Sequence, residues 1–182
     1  MIVALTGTPG VGKTAVSQIL QNEGFDIIDL NKLAVEHDFW IGTDKQRDSK
    51  IIDIKQINTY VTETYKEKDL IIIEGHLSHL LKSVDNVIVL RCHPIELKQR
   101  LLTKGWSTEK IRENIEAEIL DVILCEAVDL HAKTNMFEID TTDKSIDKVA
   151  SAVVEIIRNK FKNMKKYNIG KIDWSEEILK EF

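Results

Sequence analysis

Gly7-Thr8-Pro9-Gly10-Val11-Gly12-Lys13-Thr14 fills the pattern G-x-x-x-x-G-K-[ST] at every fixed position. An apolar run, Ile2-Val3-Ala4-Leu5, precedes it. Val16, Ile19 and Leu20 follow at helical spacing, with Gly24 after the helix end. Strand, glycine loop and helix are therefore expected in that order, the context this motif requires. The glycines let backbone N–H groups turn inward as an anion nest. The helix N-terminus adds partial positive charge, Lys13 a full one, and the Thr14 hydroxyl can ligate Mg²⁺. Such a loop is built for the β- and γ-phosphates of a nucleoside triphosphate.

Working outward, Phe25–Leu30, Leu70–Ile73, Asn86–Leu90 and Met136–Ile139 read as further strands. The β-branched run Leu70-Ile71-Ile72-Ile73 has the character of a strand covered on both faces. Between these strands lie helical patterns at Ile54–Tyr65, Pro94–Lys104, a long one from Ser107 to Leu130, and Ile146–Phe161. Alternating strands and helices mean a parallel sheet with helices on both faces. The expectation is a three-layer α/β fold of the P-loop type with five parallel strands.

The chain has 182 residues, 43% of them hydrophobic, long enough for one domain to bury its core without a disulfide. Cys92 and Cys125 lack any CxxC spacing, which speaks against a disulfide scaffold or a thiolate zinc site and suits a reducing cytoplasm. His76 and His79 could share a helical face, but no third zinc ligand accompanies them. The longest unbroken apolar run is five residues, Met1–Leu5, so no membrane span is expected. Met1 leads straight into the first strand, leaving no room for a signal peptide. Charge is uneven: residues 1–157 sum to −8, residues 158–171 to +6 and residues 172–182 to −3. The reading is a main domain over 1–162 and a C-terminal appendage over 163–182. An acidic body repels bare RNA, so any rRNA contact would fall to the basic stretch 158–171.

A magnesium-bound triphosphate also needs a carboxylate at the end of a buried strand. Glu74, directly after Leu70–Ile73, is that candidate, reaching the metal through water. His76 could position a water or an acceptor. Arg91, Arg100 and Arg112, flanking the segment after the fourth strand, are candidate phosphate clamps, with Arg47 further upstream. Trp40, Trp106 and Trp174 read as packing residues.

The opening LTGTPGVGKT, the segment Glu74-Gly75-His76 and the stretch LRCHPIELKQRLLTKGWSTEKIRENIEAEIL together resemble the atypical adenylate kinases, the isoenzyme 6 group with its archaeal branch. The likeness covers about residues 1–160, and its linked R-L-x-x-[KR]-G-[WY]…N-I-x-x-E pattern is more specific than the glycine loop. The resemblance implies a five-stranded nucleoside monophosphate kinase core, with an acceptor segment at about 29–52 and a lid at about 103–113. It implies broad monophosphate kinase activity (ATP + AMP = 2 ADP) with ATPase activity, a role in late maturation of the small ribosomal subunit and its rRNA, and a basic ribosomal protein partner. By position, Gly10, Gly12, Lys13, Thr14 and Ala15 would contact ATP. Asn31, Lys32 and Arg47 fall in the acceptor segment, and Glu74 and His76 match the group's acid-x-His. A lid arginine of the group falls on Lys104, which keeps the charge but not the planar fork.

Seven acids lie between Glu109 and Asp129 against Lys110 and Arg112. That run is either a solvated helix face or a docking surface for the basic partner. Two other readings stay open: a kinase for another small metabolite, of shikimate or dephospho-coenzyme A type, and an ATP-driven assembly switch with incidental kinase activity.

Overall fold

The computed structural model describes residues 1–44, 49–162 and 164–179. Among the described residues, seven strands and seven α-helices follow one another along the chain. In order they are β1 (Ile2–Thr6), α1 (Lys13–Asn22), β2 (Ile27–Asp29), α2 (Leu30–Glu36), β3 (Trp40–Asp44), β4 (Ser49–Ile52), α3 (Ile54–Thr64) and β5 (Ile71–Glu74). There follow β6 (Asn86–Arg91), α4 (Pro94–Leu102), α5 (Thr108–Ile119), α6 (Val122–Leu130), β7 (Met136–Asp140) and α7 (Ile146–Arg158). The main sheet has five strands in the order β2-β5-β1-β6-β7, all parallel. The central β1 registers Leu5 against Glu74 of β5 on one side and against Ile88 of β6 on the other. In open sheets of this kind, ligands bind beyond the carboxyl ends of the strands where the order reverses, which here is the end of β1.

Alternation along the strands divides the core in two. Val3, Leu5, Ile72, Ile88 and Leu90 pack with α1, α4, α5 and α7. Ala4, Ile71, Ile73, Val87 and Val89 pack with α2, α3 and α6 on the opposite face. The helices carry the caps their sequences suggest. Ser107 and Ser145 accept from the amides of Lys110 and Lys148, and Pro94 opens α4 behind His93.

Two features of the chain differ from the sequence reading. The expected single helix from Ser107 to Leu130 is broken at Asp121, which adopts φ 55°, in the left-handed region. The break has a packing cause: α5 buries Ile111, Ile115 and Ile119 on one face of the sheet, and α6 buries Leu124 and Ala127 on the other. A straight helix could not serve both. The stretch at about 29–52, where the resemblance leads one to expect the acceptor segment, also holds structure that the sequence did not announce, the helix α2 and the antiparallel pair β3–β4.

Beyond α7 the chain folds back on the domain. Met164 is buried, and Tyr167 and Trp174 pack against the core. Asn168 bridges Phe137 of β7 in antiparallel fashion, and the Gly170 amide donates to Glu138 at 2.9 Å. Among the described residues no helix is long and apolar enough to cross a membrane.

Candidate active site

The loop between β1 and α1 depends on close backbone approach at two glycines. A Cβ on Gly7, which sits at φ 138°, would fall on the carbonyl oxygen of Leu90. One on Gly10, at φ 101°, would meet Leu97 and Leu101 at 2.8 Å. The loop therefore lies against the end of β6 and against α4, at a spacing only glycine permits. Arg100 supports it from behind, donating to the Val11 carbonyl at 3.2 Å while paired with Glu96.

Lys13 is 8% exposed, and its ammonium donates to the carbonyls of Gly7 (2.7 Å) and Thr8 (3.2 Å). Burial pushes its pKa down to about 8, with nearby Glu74 opposing the shift. Glu74 closes β5 beside the loop and accepts from the Thr14 hydroxyl at 3.2 Å through Oε1. Its other oxygen, Oε2, is buried without a hydrogen-bond partner among the described residues. Burial raises the Glu74 pKa against the pull of Lys13. A buried carboxylate oxygen with no donor, beside a hydroxyl and below a phosphate loop, is a donor set suited to a hard divalent cation. Thr14 and Glu74 thus fit Mg²⁺, with phosphate oxygens and water as the other ligands. Among the described residues no group of three or more His, Cys, Asp or Glu side chains could hold a metal by itself.

These residues face a cleft of about 1180 Å³. Thr8, Pro9, Gly10 and Gly12–Ala15 of the loop line it together with Glu74. His76, Asn31, Lys104, Trp106, Lys110 and Asn114 line it as well. Burial, with Lys13 and His79 adding to it, pushes the His76 pKa down to about 4, so its imidazole is neutral near pH 7. A neutral ring can orient a hydroxyl or water without adding positive charge. His79, by contrast, is wholly buried. It bridges the Thr6 hydroxyl (3.0 Å) and Glu126 (2.9 Å), tying the end of β1 to α6.

The clamp candidates part ways here. Arg91 is 2% exposed and pairs with Glu118 (2.8 Å), Glu138 (2.6 Å) and Asp121. Three carboxylates already occupy its guanidinium, and none of its atoms reaches the cleft, so it is a structural hub and not a phosphate clamp. Arg112 lies outside the cleft, 76% exposed and paired with Glu116. Arg100 touches the loop backbone and does not line the cleft. In the acceptor segment, Asn31 lines the cleft, whereas Lys32 pairs with Glu36 on the exposed side of α2. Arg47 lies outside the described residues.

The cleft also takes in Trp106, which the sequence offered only as a packing residue, and Lys110 and Asn114, which it did not single out for the site. Trp106 packs partly on the core but also faces the cleft, with the Lys110 ammonium 4.4 Å and the Lys104 ammonium 5.5 Å from its ring centroid. The available signal was the G-W…N pattern itself, which spans Gly105, Trp106 and Asn114. The acidic run also changes meaning, since Glu118 and Asp121 are engaged with Arg91 and do not belong to a solvated face.

The sheet order, the loop after β1 and the strand-end acid define a P-loop nucleotide-binding fold. A model of the family described as "AAA domain" matches residues 3–121. The chain belongs to the family of archaeal proteins named "Putative adenylate kinase". It is 38% identical over 180 residues to the member from Methanocaldococcus jannaschii, covering 98% of this chain and 96% of that protein. It is 43% identical over 178 residues to the one from Archaeoglobus fulgidus, covering 98% and 94%. Among solved structures, a shikimate kinase from Bacteroides thetaiotaomicron aligns with a TM-score of 0.53 at 15% identity, over 87% of this chain and 98% of that one. A gluconokinase from Sinorhizobium meliloti aligns with a TM-score of 0.55 at 11% identity, over 90% and 95%. At those identities the structures share the fold alone.

Proposed function

We propose that the protein transfers the γ-phosphoryl group of ATP to a nucleoside monophosphate, as ATP + AMP = 2 ADP, and hydrolyses ATP when water takes the acceptor's place. The observation that carries this reading is the convergence of the phosphate loop, Glu74, His76, Asn31 and Lys104 on one cleft. The names of the archaeal relatives support it. Lys13 would exchange its two carbonyl partners for β- and γ-phosphate oxygens and neutralise charge that grows during transfer. Thr14 and Glu74 would hold Mg²⁺, which would supply further positive charge to the triphosphate. His76 would orient the attacking oxygen, and Asn31 would contact the acceptor. Lys104 would approach the donor phosphates from the lid.

ATP consumption should be measured alone, with AMP, GMP, CMP or UMP, and with shikimate as a non-nucleotide acceptor. The expected result is acceleration by a monophosphate, with two diphosphates formed per ATP when AMP is used. Acceleration by shikimate alone would overturn the reading.

A second reading, that turnover serves small-subunit maturation through a basic ribosomal protein, draws on one observation: Glu113, Glu116 and Glu126 are among the residues that line the cleft. That partner would dock beside the lid and steer by charge. Acceleration of ATP hydrolysis by the basic protein and not by AMP would favour it.

A further inference from the structure

We infer that Glu118 is a positioning residue for phosphoryl transfer, holding the phosphate loop and the lid-bearing helix in one register through Thr8; this rests on the phosphate-loop reading above. Glu118 lies in the last turn of α5, 2% exposed, 110 residues from the loop residue it touches. Its Oε2 accepts from the Thr8 hydroxyl at 2.5 Å. Its Oε1 accepts from Arg91 Nε at 2.8 Å and from the Cys92 amide at 3.0 Å. Arg91 also donates to the Glu118 carbonyl at 3.0 Å, so this turn of α5 is gripped through backbone and side chain together.

Thr8 is 2% exposed, and its own carbonyl accepts from Lys13 (3.2 Å) and from the Val11 amide (3.3 Å). Fixing the Thr8 side chain therefore fixes the peptide group that seats the principal cation of the site. At its other end, α5 begins just after the lid residues Lys104 and Trp106 and presents Lys110 and Asn114 to the cleft. A shift at Glu118 would move loop and lid relative to each other. Only an acceptor-only group satisfies three converging donors, the Thr8 O–H, the Arg91 N–H and the Cys92 N–H. Arg91 neutralises the carboxylate, which otherwise would place an uncompensated negative charge beside the phosphates.

A purely structural ion pair with Arg91 is the competing account, and a double-mutant cycle separates the two. Thr8→Val keeps the side-chain volume and removes the donor while leaving the Arg91 pair intact. Thr8→Val and Thr8→Ala should fold with melting temperatures within a few degrees of wild type, while kcat/KM for ATP falls about tenfold or more. Thr8→Ser, which restores the hydroxyl, should recover most of that loss. Glu118→Gln should lower turnover in the wild-type background but not further in Thr8→Val, although it lowers thermal stability equally in both. Wild-type turnover in Thr8→Val overturns the inference. So does a Glu118→Gln effect on turnover that is the same in both backgrounds, or loss of the fold in both Thr8 variants. Lys13→Ala distinguishes failures: if it keeps full turnover, the phosphate-loop reading falls. If it is inactive while Thr8→Val is unimpaired, only the role of Glu118 falls.

Discussion

Two buried cations, Lys13 at the start of α1 and Arg91 at the end of β6, are in opposite states of compensation. Arg91 has three carboxylates around it, and these hold its pKa above the ordinary arginine value despite burial. Lys13 has two carbonyl oxygens and the field of Glu74, too little to offset its desolvation, and its pKa falls to about 8. A cation whose charge is matched inside the protein stabilises a fold. One left short of negative charge is prepared to receive it from a ligand.

The largest expected effect comes from removing the under-compensated cation. Lys13→Ala should fold yet lose turnover by at least ~10²–10³, the usual consequence of deleting one preorganised electrostatic donor. Steady-state ADP formation is the measurement, and activity near wild type would contradict the contrast. Removing the matched cation should instead damage the fold. Arg91→Met leaves Glu118, Asp121 and Glu138 without their partner and should cost about 3–5 kcal/mol. In a chain this size that corresponds to a melting temperature lower by roughly 10 °C. An unchanged urea midpoint would show that the carboxylates do not need Arg91.

The smallest effect sharpens the comparison through pH. Lys13 is a base whose folded pKa, about 8, lies below its unfolded value of 10.5. Between those values the unfolded chain binds the extra proton, so stability rises with pH in that window, and below pH 8 the burial cost is at its full size. Lys13→Met removes that cost. Its stability advantage over wild type should be constant below pH 8 and shrink by about 1.4 kcal/mol per pH unit above it. Paired denaturation curves from pH 7 to 9.5 test this, and a difference that does not vary with pH would refute it. Arg91 does not titrate in this range.

Local signals were legible in the sequence where local physics decides the outcome. The helix after the phosphate loop spans Lys13–Asn22, as its apolar spacing indicates, and the continuous apolar runs became the buried strands. Glu74 could be singled out because a strand-end acid follows from the loop's own chemistry, and it closes β5 within hydrogen-bond distance of Thr14. Arg91 was misread as a clamp because its three partners lie 27, 30 and 47 residues away, and nothing beside it in the chain names them. The turn at Asp121 was invisible for a related reason. Leu120-Asp121-Val122 contains neither Gly nor Pro, and the chain bends there to cross from one face of the sheet to the other. The helix α2 and the β3–β4 pair lie in a segment without sustained periodicity.

The fold-back of the chain after α7 bears on how copies of this protein behave toward each other. β7 is an outer strand of the five, and an outer strand with bare N–H and C=O groups is a template on which a neighbouring chain can pair. Asn168 occupies the Phe137 position of that margin, and Gly170 ties the following turn to Glu138. The opposite margin, β2, is only three residues long. One border of the sheet is thus kept short, and on the other the chain's own tail takes the place at Phe137 where a neighbouring strand would pair.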